Sequence, residues 1–273
     1  LMNLWERGVI RCGKGDYEEA FADLEAARKL SDRLGDKVWK SRIFNTLGWV
    51  FGELYNLESA IRYNHEGLES AWKLGDPEII RNAVINLGDN YLLKGDLPTA
   101  ASCLEMVYRD SQQYGKWGEE WMKWRYLQHC CHSLGELRLV QGDAQAALTL
   151  AQECLQLAEP TITRKNMVKG WRLMGQAYLA QGKIEQAQEF LKKAITLAEE
   201  LGNPPQRWKT YQALGNFYSQ CGQTEQAATA YCRAMQVIEQ TASRLHSEQI
   251  KQTFLTAIPV QDIRENQKRY HCL

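Results

Sequence analysis

Residues 171–190 read WRLMGQAYLAQGKIEQAQEF. Trp171, Met174-Gly175 and Tyr178 recur at three- and four-residue spacing, which lays one apolar stripe along a helix. Gly182 follows Gly175 by seven residues. It ends that helix, because the residue past a last turn often needs positive φ. Ala187 then falls on a second helix where two backbones approach, and a side chain larger than methyl would hold them apart.

The same spacing extends in both directions. Gly8, Gly48, Gly88, Gly135, Gly175 and Gly215 are separated by 40, 40, 47, 40 and 40 residues. Seven positions after each come Gly15, Tyr55, Gly95, Gly142, Gly182 and Gly222, and five further on come Ala20, Ala60, Ala100, Ala147, Ala187 and Ala227. Asp16, Asp96 and Asp143 stand directly after the second glycine as N-cap candidates. Between units the chain writes Leu34-Gly35-Asp36, Leu74-Gly75-Asp76-Pro77, Tyr114-Gly115 and Leu201-Gly202-Asn203. These are glycine stops followed by capping residues, with Pro77 suited to a first helical turn. Each unit is therefore an antiparallel helix pair. One pair cannot cover its own apolar faces, so neighbours must stack. The predicted fold is all-α: an α-solenoid of about six pairs spanning 1–240, in units of about 1–36, 37–75, 76–115, 116–160, 164–202 and 204–240.

The pattern Trp171, Met174-Gly175, Tyr178, Gly182, Ala187 and Ala194 resembles the tetratricopeptide (TPR) repeat, whose signature runs W-x2-L-G-x2-Y, then Gly, then Ala. The period here is 40 against about 34 in the common form, a difference of roughly a turn and a half of helix. This longer form resembles the TPR arms of bacterial signalling ATPases and transcription regulators, and the repeats of spindle-orientation and kinesin light chain adaptors. Arg7, Arg11 and Tyr55 depart from the motif. The resemblance implies a right-handed superhelix.

Beyond residue 240 the repeat breaks. Leu245, Ile250, Phe254 and Leu255 are spaced like one side of a capping helix. Ile258-Pro259 is expected to end it, with Gln261 to Leu273 polar and frayed. The longer step before Gly135 carries Trp117, Trp121 and Trp124 at i, i+4 and i+7. They form an aromatic ridge that either packs on the preceding unit or meets a partner.

Composition bounds the function. Thirty-three basic and 33 acidic residues cancel, so no net field favours nucleic acid or anionic lipid. Hydrophobic residues at 44% and charged ones at 24% are those of a folded chain. No apolar run approaches the roughly 18 residues needed to span a bilayer, and no signal-like segment opens the sequence. Cys12, Cys103, Cys130, Cys131, Cys154, Cys221, Cys232 and Cys272 show no paired spacing, which points to reduced thiols in the cytoplasm. Leu1 opens the chain, and a segment of a longer polypeptide is expected.

No phosphate-binding loop, dinucleotide fingerprint, H-E-x-x-H or G-x-S-x-G occurs, so a non-catalytic chain without cofactor is expected. His129-Cys130-Cys131-His132 invites a metal reading, but at most the two histidines share a helical face, and a tetrahedral site needs three or four ligands. No metal is expected.

The resemblance implies instead a groove lined by first helices. Its positions fall on Arg42, Asn45, Thr46 and Trp49, then Asn82, Asn86 and Asp89, then His129, His132 and Glu136. In the last two units they fall on Lys169, Arg172 and Gln176, and on Lys209, Gln212 and Asn216. Asn86 matches one rung of an adaptor-type asparagine ladder. Lys169, Arg172 and Lys209 are cations on neighbouring helices that would hold an acidic segment. Trp49 would expose a large apolar surface unless something covers it. The expected function is a protein or peptide interaction or sensor module inside a larger cytosolic signalling protein, contacting that protein's other domains. A stand-alone adaptor is the alternative, and a peptide-sensing regulator with enzymatic activity a third. Nucleic acid and membrane are not expected partners.

Overall fold

The computed structural model describes residues 1–111 and 126–271. Among them every regular element is a helix. The helices are α1 (Met2–Lys14), α2 (Tyr17–Leu34), α3 (Lys37–Glu53), α4 (Leu57–Leu74), α5 (Pro77–Lys94), α6 (Leu97–Ser111) and α7 (Gln128–Val140). They continue with α8 (Ala144–Ala158), α9 (Arg164–Ala180), α10 (Ile184–Leu201), α11 (Pro204–Gln220), α12 (Thr224–Ser243), α13 (Glu248–Thr256) and α14 (Ile258–His271). Trp117, Trp121 and Trp124 lie outside the described residues.

The helices end where the sequence directs. Gly35, Gly75, Gly95 and Gly202 close α2, α4, α5 and α10 in the left-handed region, with φ of 64°, 67°, 82° and 65°. Asp36, Asp76, Asp96 and Asp143 each accept a backbone N–H three residues on, at 2.9 to 3.2 Å. Asp16 does not: its carboxylate makes no cap and faces Arg244 at 3.2 Å. Tyr55 takes the place of the second glycine at φ 57°. It keeps that left-handed backbone while its ring stacks on Phe254, centroids 6.3 Å apart.

Odd and even helices pair through the small residues. Ala20, Ala60, Ala100, Ala147, Ala187 and Ala227 are all fully buried. A methyl group added at Gly175 would lie 2.6 Å from Leu191 Cγ and 3.2 Å from the Ala187 carbonyl. Only hydrogen fits there.

The chain forms two compact units, Leu1–Met122 with Arg244–Phe254, and Lys123–Ser243 with Leu255–Leu273. In the first, α1 to α6 pair in sequence, and α1, α3 and α5 are neighbours. The segment 244–254 adds Arg244 on Asp16 and Phe254 on Tyr55. Glu18 Oε1 accepts from the backbone N–H of His246 and Ser247 at 2.8 and 3.1 Å, supplying acceptors at the start of α13. In the second unit α7 to α12 pair likewise, with α7 beside α9 and α9 beside α11.

The expected frayed end is instead a helix. Pro259 sits in the first turn of α14, where a missing N–H costs nothing. Val260 and Ile263 are fully buried, and α14 packs on α12. Tyr270 stacks on Tyr231 with centroids 5.8 Å apart, and its hydroxyl meets that of Ser219. A terminal repeat has one uncovered face, and α14 covers it.

Candidate functional site

Neighbouring first helices are joined by polar side chains about one repeat apart. In the first unit Trp5 Nε1 donates to Thr46 Oγ1 at 2.7 Å, and Arg42 Nη1 to Glu78 Oε1 at 2.9 Å. Asn86 Nδ2 donates to Asn45 Oδ1 at 2.9 Å, and both residues are buried. The expected ladder amide is therefore turned inward to the next helix, because a buried amide must find a partner. Asn82 is half-buried, as is Trp49, whose indole donates to Glu53 Oε1 at 3.0 Å. Trp49 is thus partly covered within the chain itself.

The second unit gathers the more unusual set. Arg172 on α9 is 2% exposed, and its Nη1 donates to Gln206 Oε1 at 3.0 Å and Thr210 Oγ1 at 3.2 Å, both on α11. A guanidinium is tolerated at that depth only with such acceptors. His132 on α7 is 3% exposed, and neither ring nitrogen has a hydrogen-bond partner. Glu136 Oε1 stands 3.5 Å from its Nε2 without bonding it. Burial, and then Lys169, Arg172, His129 and Lys209, hold the imidazole well below its usual range, so it is neutral. Gln176 Oε1, one turn beyond Arg172, is likewise buried without a partner. His129, Lys169 and Lys209 are half-buried, and the Lys209 ammonium lies 5.4 Å from the Trp208 ring centroid. Asn216 is exposed and accepts from the Tyr231 hydroxyl at 2.7 Å.

Structure thus places Lys169, Arg172 and Lys209 within electrostatic reach of His132 inside the second unit. Arg42, Asn45, Trp49, Asn82 and Asn86 belong to the first. Sequence reasoning missed Gln206, Thr210 and Glu78, each the partner of a predicted cation. Their signal was present: each lies 34 to 38 residues after its arginine, close to one repeat.

The cysteine pair offers no ready chemistry. Cys130 and Cys131 are fully buried, and burial pushes the Cys131 thiol well up and that of Cys154 up to about 12. Among the described residues no three His, Cys, Asp or Glu side chains gather as metal ligands, and no helix is long and apolar enough to cross a membrane.

Residues 78–262, more than half of the chain, match the MalT-like TPR region, and residues 1–71 match the tetratricopeptide repeat. The chain belongs to the MalT-like TPR region family. Among solved structures, the MalT-like chain is similar to a Rap protein complexed with Competence and Sporulation Factor, with TM-score 0.67 and 14% identity over 98% of this chain and 75% of that one. Aspartyl phosphate phosphatase F from Bacillus subtilis gives TM-score 0.60 and 13% identity over 97% and 70%. A thermophilic TPR protein of Thermus thermophilus gives 0.54 and 16% over 85% and 100%. At these identities the MalT-like chain shares their fold. Among curated proteins, none matches it.

Proposed function

We propose that the chain is a protein-interaction module whose second unit holds an acidic protein or peptide segment on the first-helix face of α7, α9 and α11. One observation carries this reading: a fully buried arginine, fixed by Gln206 and Thr210, beside a buried histidine with no partner and two half-buried lysines. Buried polar atoms are almost always satisfied, so orphaned ones in a cationic setting are most simply completed by a ligand. Membership of a TPR family supports a scaffold role, and the Rap protein's complex with a named factor supports a ligand held by this fold. A place within a larger cytosolic signalling protein belongs to the same proposal. Fold likeness to a phosphatase adds no catalytic residue here.

The test uses the full chain and a hexaglutamate peptide capped at both ends, with binding followed by calorimetry. Lys169→Glu and Lys209→Glu should each weaken binding about tenfold or more, since each replaces attraction by repulsion. Asn82→Ala, in the first unit, should leave affinity unchanged. Equal affinities across all four proteins would overturn the assignment.

A further inference from the structure

We propose that capture of an acidic segment by the second unit is coupled to protonation of His132, so that peptide and proton bind together. This rests on the reading above and adds its regulation. The ring has both the position and the vacancy for such a role. It is 3% exposed, and neither nitrogen has a hydrogen-bond partner. An imidazolium needs two acceptors, whereas a neutral ring needs one acceptor and one donor. Neither need is met in the free chain, so the protonation state is set by burial first and by the surrounding charges after it.

Those charges come from all three helices of the face. His129 and Glu136 lie on its own helix, Lys169 and Arg172 on α9, and Lys209 on α11. Burial above all, and then these cations, keep the ring neutral. Carboxylates arriving beside Lys169 and Lys209 invert that local field. Ring protonation then becomes favourable: the proton comes from solvent, one N–H turns to Glu136, already 3.5 Å from Nε2, and the other faces the ligand. Arg172 stays held by Gln206 and Thr210 and lends its charge without moving.

Linkage makes the consequence quantitative. Whatever factor the peptide adds to proton affinity, the proton adds to peptide affinity. Each unit by which the ring's pKa rises on binding is worth tenfold. Capped hexaglutamate is a suitable probe because its carboxyls titrate near 4.3 and stay ionised in the working range.

On the full chain, calorimetry from pH 7.5 to 5.5 should show affinity rising about tenfold as pH falls. Buffers of different ionisation enthalpy should report uptake of close to one proton near pH 6. His132→Gln should bind with no such rise, and His65→Gln, on an exposed position of the first unit, should keep it. A rise retained in His132→Gln, or binding by the parent chain with neither pH dependence nor proton uptake, overturns the coupling and leaves the interaction reading intact. Absence of binding by the parent chain at every pH overturns both. Should His132→Gln fail to fold, ring NMR shifts of the parent chain decide the matter: one histidine's midpoint must move upward when peptide is added, and unmoved midpoints overturn the coupling.

Discussion

At Gly8, Gly88, Gly175 and Gly215 the residue sixteen positions later fills the space a Cβ would need: Leu24, Leu104, Leu191 and Tyr231. At Gly48 the corresponding residue is Asn64, fully buried with neither amide atom partnered. An unsatisfied buried amide costs about 1–3 kcal/mol, and leucine has nearly the same shape. Asn64→Leu should therefore raise unfolding free energy in urea by about 1–2 kcal/mol; unchanged or lower stability would show that the amide is satisfied in solution. Ala187→Trp should lose about 1–3 kcal/mol or more by overpacking, while Gln188→Ala, half-buried one position on, should change little. Equal melting temperatures would refute the register. His132 adds a pH dependence. Its folded-state pKa lies below the unfolded value of about 6.5, so the unfolded chain binds the proton first. Stability should be unaffected by this group above pH 6.5 and fall as pH drops from there toward the folded pKa, and His132→Gln should flatten that decline in denaturant titrations. The glycines and alanines were legible because only one small residue fits each site. Arg172's burial was not, because the same residue in the same register serves equally as a solvated cation, and only the placement of Gln206 and Thr210 decides between them.

Single helices show where local rules compete. Proline reads as a stop, and at Ile258-Pro259 that reading assigned a frayed end. Yet proline is equally at home in a first turn, and Val260, Ile263, Gln267 and Tyr270 follow at steps of 3, 4 and 3. That stripe packs on α12 through two fully buried aliphatic side chains, a Gln267 contact to Cys232 Sγ at 3.7 Å and the Tyr270 stack on Tyr231. It was faint in the sequence because half its members are polar or amphipathic. Ile263→Ala should cost about 2–4 kcal/mol, the range for deleting buried aliphatic groups, whereas Glu265→Ala on the exposed side should be neutral. Equal denaturation midpoints would mean that α14 is not docked in solution. Tyr55 is the complementary case. Tyr55 departs from the motif's glycine, and the stack on Phe254 accounts for it. The partner lies 199 residues away, beyond any local pattern.

Across the molecule the forty-residue period breaks once, in the 47-residue step between Gly88 and Gly135, and the boundary between the two compact units falls inside that step, while within each unit every repeat answers to its immediate neighbours. Family membership was legible for the same reason: six units repeat one packing problem. What such a chain does with a local defect follows from that nearest-neighbour logic. In a repeat array, openings cost the free energy of one unit and its interfaces, so hydrogen exchange should respond regionally. Ala187→Trp strains the α9–α10 pair, whose core includes Leu191 and Ala187 beside Leu214 and Phe217 of α11. Amide protection should fall by at least about tenfold in α9, α10 and α11, which is what a loss of about 1.4 kcal/mol produces. Amides of α3 and α4, in the other compact unit, should keep their protection. If α3 and α4 lost protection in step with α10, the two units would open as one cooperative fold. The repeat would then describe how the chain is built without describing how its stability is divided.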